Sequence, residues 1–417
     1  MVEGASPGRT PKRILVLGAG PAQLGLLAAA QVCGLYVVAA DRDPAAPGFR
    51  FADRRAIISA EDEHGIDRLA NAERVDGIIA PGIDWPVGIA ARVAERLGMP
   101  HPLTPASATL STSKLRQREW FVEAGVPYPR YRVCGSQDQA LAAARELGFP
   151  VVVKAPDRQG QRGLSLVEEA AALPEAVQRA LAASRGGGFL IEELVAGREI
   201  TVNGFSRDGR FHPLTVTDRV TAEPPAFGVA LTHAWPSALE PARIGAAIQA
   251  AAAAAGALGI AHGPTYTQVL VADDYRRPVV VGELAARLGG GHDAELCQAA
   301  LGVDLNGLAL SAALGEDVEA AALEPVEQAG GACVVFLVAP PGQLEEVEGL
   351  DEATAVAGVL DVRIYRTPGH IFGDLRRGSD RAGAILAVGD SRGEALERAQ
   401  GAADSLRFKT VAAQPIS

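Results

Sequence analysis

The 417-residue sequence predicts an α/β protein with an α+β central part. Residues 13–105 alternate buried strands with helices, which is typical of a parallel sheet with right-handed crossovers. Residues 106–315 instead mix short helices with antiparallel hairpins. Residues 330–417 form a third unit, which opens on the apolar strand "ACVVFLVAP" and closes on the helix "SRGEALERAQGAADSLRF". A chain of this length is expected to hold two or three domains.

Composition narrows the class of protein. Hydrophobic residues make up 48% and charged residues 21%, as in an ordinary globular protein. The net charge of −11 argues against a nucleic-acid partner, so any anion site must be a local basic pocket. The four cysteines are scattered and form no CxxC pair, which favours a reduced compartment over a disulfide framework or zinc.

Membrane and targeting signals are missing from the sequence pattern. The longest apolar candidate, "IGAAIQAAAAAAGALGIA", is interrupted by Gln249 and is interpreted as a buried helix. The N-terminal segment "MVEGASPGRTPKR" lacks the hydrophobic core of a signal peptide. A cytoplasmic protein without a membrane partner is expected.

The first strand is followed by the glycine-rich turn "GAGPAQLG". A dinucleotide-binding fingerprint starting at Gly18 requires its third glycine at position 23, where this chain has Gln23. Asp41 does end the second strand, where a ribose-binding acid would stand. A Rossmann-like domain without a bound dinucleotide is favoured, and NAD(P) binding is kept as an alternative.

The stretch "VVVGELAARLGGGH", residues 279–292, ends an apolar run in a carboxylate and an arginine. Continued strand alternation would place Glu283 and Arg287 on one face. The preceding "YTQVLVADDYRRPVVVGE" predicts an antiparallel hairpin with Gln268 directly opposite Glu283. Oxygen ligands without histidine or cysteine suit Mg²⁺ rather than zinc, and Arg287 could neutralise a phosphate. The structural alternative is a same-face ion pair between Glu283 and Arg287.

Lysine is rare in this chain, since only four of the 39 basic residues are lysine. Lys154 ends an apolar strand and faces the loop "DRQGQRG", in which glycine backbone and arginine charge could close over a phosphate. Lys114 lies in the first turn of a helix, where an anion binds readily. A solvated hairpin tip is the alternative for the loop.

The segment "IEELVAGRE", residues 191–199, bends between two apolar strands. Its backbone could contact an adenine edge, and Glu199 could accept hydrogen bonds from ribose hydroxyls. Surface acids at a strand–turn junction are the alternative.

In their order along nearly the whole chain, these segments resemble the ATP-grasp superfamily. The resemblance implies a Rossmann-like pre-ATP-grasp domain at residues 1–105 and an ATP-grasp domain of two α+β subdomains at residues 106–318. It also implies a small C-terminal α+β domain at residues 319–417.

The resemblance also implies site roles and cofactors. ATP is expected, together with Mg²⁺, for which Mn²⁺ is a substitute. The implied metal ligands are Gln268 and Glu283, and the implied catalytic residues are Lys154 and Arg287. Many members have Glu where this chain has Gln268, and Asn where it has Ala285, so water would fill that ligand position or one metal ion would be held more loosely. The implied nucleotide-binding residues are Lys114, Lys154, Arg158, Gly160, Arg162, Gly163, Glu192, Glu193, Leu194, Val195 and Glu199.

The C-terminal unit resembles that of bacilysin-type L-amino-acid ligases. This implies a carboxylate–amine ligase that forms an acyl phosphate and releases ADP and phosphate, with small-molecule carboxylate and amine substrates. Family members are often homodimers, so a homodimer is an option here. The segment "TDRVTAEPPAFGVALTHAWPSAL" resembles the variable region that closes over the acid. Arg219 could pair with a substrate carboxylate, and Arg287 and His233 could contact substrate or phosphate, although a strand-edge histidine is the alternative for His233.

Three other functions stay open at this point. A purine-pathway-type or biotin-carboxylase-like carboxylase or formyltransferase would use bicarbonate or formate, although no biotinyl-lysine motif is present. An NAD(P)-dependent oxidoreductase would use the turn at residues 18–25. A catalytically silent nucleotide-binding protein is disfavoured by the intact set of Lys114, Lys154, Glu283 and Arg287.

Overall fold

The computed structural model describes residues 10–412. Most of the segment used to argue against a signal peptide therefore lies outside the described residues. Within residues 10–412, no helix is both long enough and apolar enough to cross a bilayer.

The first unit is built on a four-stranded parallel sheet with strand order β3-β2-β1-β4, which confirms the βαβ prediction. Strand β1 is buried on both faces, because Ile14 and Val16 pack into one core and Leu15 and Leu17 into another. This double burial explains its uninterrupted apolar sequence. The elements are β1 (Arg13–Leu17), α1 (Leu24–Val32), β2 (Tyr36–Asp41), β3 (Arg54–Ile57), α2 (Glu63–Glu73), β4 (Gly77–Ile79) and α3 (Trp85–Leu97). Helices α4 (Pro105–Ser111) and α5 (Lys114–Ala124) follow this unit and lead to the second sheet.

A second, antiparallel sheet has the order β5-β8-β6-β7 and is covered on one face by two helices. In β6, Val151 and Val153 are fully buried against that helical layer. Val152 and Lys154 point to the opposite face, because side chains alternate along a strand. The elements are β5 (Tyr131–Cys134), α6 (Gln137–Leu147), β6 (Val151–Lys154), β7 (Ser165–Val167), α7 (Leu173–Ala183) and β8 (Phe189–Glu193).

A third sheet of eight strands carries the predicted hairpin. Gln268 is paired with Glu283 in the register, as the sequence predicts, and the register shifts by one residue immediately after Gln268. The elements that precede the C-terminal region are β9 (Gly197–Arg207), β10 (Arg210–Thr221), β11 (Ala230–Trp235), α8 (Pro241–Ala257), β12 (Gly263–Ala272), β13 (Val280–Ala285), α9 (Asp293–Leu301) and α10 (Leu305–Ala313).

The C-terminal region continues this same sheet, whose full order is β13-β12-β9-β10-β11-β14-β18-β16. Pairing of β11 with β14 carries the sheet across residue 318, so the three domain limits stay predictions. A separate three-stranded sheet has the order β17-β15-β19. The elements are β14 (Gly331–Leu337), β15 (Gly342–Glu348), α11 (Leu350–Ala355), β16 (Val359–Ile364), β17 (Ile371–Phe372), β18 (Gly383–Gly389), α12 (Arg392–Ser405) and β19 (Arg407–Val411).

Candidate active site

A cavity of about 760 Å³ lies between the small antiparallel sheet and the eight-stranded sheet. Most of the residues singled out from the sequence line it, whereas Gly163, His233 and Arg287 lie outside its lining. The sequence-predicted residues in the lining are Lys114, Lys154, Arg158, Gly160, Arg162, Glu192, Glu193, Leu194, Val195, Glu199, Arg219, Gln268 and Glu283.

Lys114 and Glu283 form an ion pair at one end of this cavity. Ser113 caps helix α5 and sets Lys114 at its first position. The Lys114 Nζ lies 2.5 Å from Glu283 Oε2 and donates to the carbonyl of Arg158 at 2.8 Å. Burial alone would raise the pKa of Glu283, but the adjacent Lys114 ammonium lowers it to about 2. Glu283 is therefore an anionic oxygen donor at neutral pH.

Glu192 holds two cations in the same cavity. Its Oε2 lies 2.5 Å from Lys154 Nζ, and its Oε1 lies 3.1 Å from Arg118 Nη2. Burial disfavours the Glu192 carboxylate, yet Lys154 and Arg118 together keep its pKa below the usual range. The side chain of Glu192 thus orients Lys154, and a contact of Glu192 with the nucleotide stays a prediction.

Arg118 is the buried residue that sequence reasoning missed. Its side chain is fully buried and donates to the carbonyl of Gly282 at 2.6 Å as well as to Glu192. The register shift in the hairpin lies next to Gly282. Arg118 follows Lys114 by four residues, so the two share one helix face, and this spacing was the available signal.

The short connection between β8 and β9, residues 194–196, lines the cavity. The Glu193 carboxylate is held by Arg130 at 2.8 Å and by Arg277 at 2.7 Å, so it anchors the strand end.

Glu199 lies on β9 between two partners on the neighbouring strands. Arg219, its register partner on β10, donates to the Glu199 carboxylate, and so does the amide of Gln268. Arg219 also donates to the carbonyl of Gly228 at 3.1 Å, which ties the loop between β10 and β11 to the cavity wall. In this structure Arg219 is paired with Glu199. Its pairing with a substrate carboxylate stays a prediction.

Glu283 pairs with Lys114 and Arg287 with Asp84, so the alternative of an ion pair between Glu283 and Arg287 is not formed, although the charge of Arg287, after that of Lys114, helps to lower the pKa of Glu283. Strand β13 ends at Ala285, so the alternation of side chains stops before Arg287. Its guanidinium instead pairs with Asp84 of the first unit, with Nε and Nη2 at 2.7 and 2.5 Å from Oδ1. Arg287 also lies over the ring of Tyr266.

The loop at residues 157–163, called the flap here, contacts the first unit next to Asp84. The backbone amide of Asp84 donates to the side-chain oxygen of Gln159, and Gln159 Nε2 lies 3.5 Å from the carbonyl of Gly82. Gly160 has a φ of +65°, a conformation that side chains disfavour. The flap therefore contacts the first unit through Gln159, a residue given no role from the sequence.

His233 is buried behind the cavity. The side chain is 2% exposed, and Nδ1 lies 3.0 Å from Asp293 Oδ1. Its ring stands edge-on to Phe336. It does not face the cavity, and it lies on an internal strand rather than at a sheet edge.

The glycine-rich turn has a structural explanation that does not involve a dinucleotide. A side chain at Gly25 would place its Cβ 1.9 Å from Glu295 Oε1, so a larger residue would have to displace this carboxylate from its ion pair with Arg363. The Asp41 carboxylate accepts hydrogen bonds from the amides of Ala19 and Asp43 at 2.8 and 2.9 Å. Asp41 thus stabilises its own turn.

The donor set fits magnesium rather than a transition metal. Among residues 10–412, no three or more His, Cys, Asp and Glu residues cluster as a metal site. Glu283 and Gln268 are register partners across the hairpin, and both residues line the cavity. Mg²⁺ characteristically takes one or two protein oxygens and completes its shell with phosphate and water.

Two family models match the chain. The model of the carbamoyl-phosphate synthase L chain, ATP-binding domain, matches residues 114–321. The model of L-amino acid ligase C-terminal domain 2 matches residues 335–411.

Relatives and solved structures agree with these models. The chain is 30% identical to the uncharacterized protein y4rH of Sinorhizobium fredii over 76% of its own length, and spans 64% of that protein. It is 29% identical to a formate-dependent phosphoribosylglycinamide formyltransferase of Burkholderia pseudomallei over 96% of both chains. An L-amino acid ligase structure from Bacillus licheniformis shares the fold, with a TM-score of 0.80, 21% identity and coverage of 97% and 100%. The chain therefore belongs to the ATP-grasp superfamily.

Proposed function

We propose that this ATP-grasp enzyme is an ATP- and Mg²⁺-dependent carboxylate–amine ligase. One observation carries the proposal: the Lys114–Glu283 pair lies across the hairpin from Gln268 at one end of a cavity that also holds Lys154. Cations for phosphate and oxygen donors for a metal ion therefore share one small volume. Such a constellation suits phosphoryl transfer, in which positioning and charge neutralisation do most of the work.

The proposed chemistry has two steps. A substrate carboxylate oxygen attacks the γ-phosphorus of ATP, and the bond to the β–γ bridging oxygen breaks, which yields an acyl phosphate and ADP. The amine nitrogen then attacks the acyl carbon and loses a proton, and phosphate leaves with the bonding electron pair. The net product is an amide.

The residues of the cavity divide this work. Lys154 and Lys114 neutralise phosphate oxygens, and Arg118 and Glu192 keep Lys154 in place. Gln268 and Glu283 are the proposed holders of Mg²⁺, which supplies charge neutralisation at the phosphates when bound. A bound phosphate would attract Lys114 away from Glu283. The Glu283 carboxylate would then be free to bind Mg²⁺.

Nucleotide contacts are proposed for the part of the cavity wall formed by the end of β8 and the start of β9. The hinge of residues 192–195 is proposed to contact the adenine edge through its backbone, and Glu199 the ribose hydroxyls. Arg158, Gly160 and Arg162 of the flap line the cavity, where they are positioned to cover phosphates. Arg287 is proposed as the cation that neutralises the acyl phosphate.

The match of residues 335–411 to an L-amino acid ligase domain supports an amide-forming reaction. The second candidate is a purine-type enzyme that activates formate or bicarbonate. The formyltransferase relative favours it, because the similarity extends over 96% of both chains. Substitution of Mn²⁺ for Mg²⁺ and assembly as a homodimer stay predictions.

The test is release of ADP and phosphate by the purified protein with ATP and Mg²⁺. A matrix of carboxylates and amines is screened, including pairs of amino acids, formate and bicarbonate, with products identified by mass spectrometry. Release that needs both an acid and an amine, with a product lighter than their sum by one water, supports the ligase. Release driven by formate or bicarbonate supports the second candidate, and no release with any pair contradicts both.

A further inference from the structure

A second cleft of about 810 Å³ adjoins the nucleotide cavity, and its lining is strongly basic. The flap and the loop between β10 and β11 form a wall shared by both spaces, through residues such as Arg158, Arg162 and Phe227. Among the residues that the structure describes, Glu61 is the single acid in the lining of the cleft. The six arginines in its lining are Arg42, Arg158, Arg162, Arg179, Arg376 and Arg377.

This concentration of cations is unusual in a chain whose net charge is −11. Glu61 is paired with Arg185 at 2.7 Å and also acts on Arg162, but this single carboxylate offsets only a small part of the charge of the lining arginines. Within residues 10–412, the side chains of Arg42 and Arg162 make no hydrogen bond or ion pair. A cleft lined by one sign of charge focuses the field and concentrates ligands of the opposite sign.

The remaining arginines have weak or local partners. Arg179, Arg376 and Arg377 pair with acids outside the lining at 3.1, 3.5 and 3.3 Å, and these arginine side chains are more than half exposed. Exposed pairs of this kind contribute little and exchange partners readily. Arg158 donates to the carbonyl of Ala183. The arginines also repel one another. The pKa of Arg162 is lowered first by burial and then by the positive charge of Arg158.

The position of the cleft is that of a ligand site. Arg42 follows β2 directly, and Glu61 lies just beyond β3, so the cleft opens at the carboxyl ends of parallel strands, where open α/β sheets bind ligands. All three units contribute, since Arg376 and Arg377 come from the C-terminal region. Small-molecule sites favour such junctions between domains.

We propose that this cleft, the arginine cleft, binds a small molecule carrying a multiply charged oxyanion, a phosphate ester or a polycarboxylate, as the charged end of a substrate of the ligase. The assignment to a substrate rests on the proposed function; the anion site itself rests on the arginines. Planar guanidinium groups bind phosphate and carboxylate through paired N–H donors.

The first test is calorimetry on ADP-saturated protein, with glycerol 2-phosphate and tricarballylate as probes and L-alanine as a zwitterionic control. We expect one probe to bind with a Kd near or below about 1 mM. R376A/R377A should weaken it at least about tenfold, while the charge-matched R55A/R276A, whose arginines are exposed and outside both cavities, should not. The probe that binds identifies the oxyanion. No binding up to about 10 mM, or equal binding to R376A/R377A, overturns the proposal.

The second test uses the substrate pair found in the ligase screen. R376A/R377A should raise the KM of the charged substrate at least about tenfold, with kcat and the KM of ATP changed by less than about twofold. An unchanged substrate KM overturns the link to the reaction. A screen without any turnover contradicts the ligase, whereas calorimetry still decides whether the anion site exists.

Discussion

Asp84 and Arg287, which are 203 residues apart in the chain, form an ion pair through a single carboxylate oxygen. The pair joins the first unit to the segment that follows β13. The backbone amide of Asp84 also donates to Gln159 of the flap. One residue of the first unit therefore contacts both the proposed phosphate-neutralising arginine and the loop that covers the cavity.

Asp84→Asn should lower kcat about 10- to 100-fold, because a misplaced charged group at the site of phosphoryl transfer costs activity of this order. The KM of ATP should change less, since the Asp84 side chain does not line the nucleotide cavity. Steady-state kinetics with the screened substrates provide the measurement. Asp273→Asn, at the exposed tip of the hairpin, is the matched control. A variant with unchanged kcat would show that the pair has no part in catalysis.

Glu283→Gln should abolish Mg²⁺-dependent turnover, with a loss of at least about 100-fold, because the proposed metal site loses its anionic ligand. Turnover is measured across a Mg²⁺ titration, and ADP binding with and without Mg²⁺ gives a second readout. Glu327→Gln, an exposed acid of the same size, should behave as the parent protein. Full activity of Glu283→Gln would refute the metal assignment.

Arg118→Met should destabilise the fold by about 3 kcal/mol, because Glu192 and the carbonyl of Gly282 lose a buried donor. Denaturant unfolding at neutral pH measures the change. The exposed Arg116, two residues earlier in the same helix, offers a control, and Arg116→Met should change stability by less than about 0.5 kcal/mol. Equal stabilities of the two variants would mean that Arg118 is not part of the supporting framework.

Gly25→Ala should destabilise the protein by about 1–3 kcal/mol, since the new methyl group would overlap the Glu295 carboxylate. Gly245→Ala is the control, because the same substitution meets no atom within 4 Å in helix α8. It should stabilise by up to about 1 kcal/mol through helix propensity. A double-mutant cycle of Gly25→Ala with Glu295→Ala should show coupling, and additivity would contradict the contact.

Acid should destabilise the protein between about pH 4.5 and pH 2, and Glu283 contributes to this loss. Its pKa is about 2 in the folded protein, because Lys114 outweighs the effect of burial, and about 4.3 for an unfolded chain. The unfolded state thus binds more protons in this window. The contribution of Glu283 to the free energy of unfolding is therefore present above about pH 4.5 and is lost as the pH falls towards 2. Denaturant midpoints at pH 5, 4 and 3 measure the slope. Glu283→Gln should have a shallower slope than Glu327→Gln, and identical slopes would contradict the pKa shift.

Local pattern predicted much of the site. The spacing around the hairpin tip predicted the pairing of Gln268 with Glu283, and strand alternation explains why Lys154 faces the cavity. Strand alternation could not predict the partner of Arg287, because β13 ends at Ala285, before that residue. His233 carried no pattern that could distinguish a pocket residue from one packed against Asp293.

By itself, the sequence determined the element order, the parallel first sheet, the hairpin register and the places of Lys114 at a helix start and Lys154 at a strand end, because these follow from periodicity and neighbouring residues. Only the tertiary structure decided which charges meet. Lys114 pairs with Glu283, Glu192 holds both Lys154 and Arg118, and Asp84 holds Arg287. Ion pairs between distant segments depend on how whole sheets pack, and the same dependence brings arginines from all three units around one cleft.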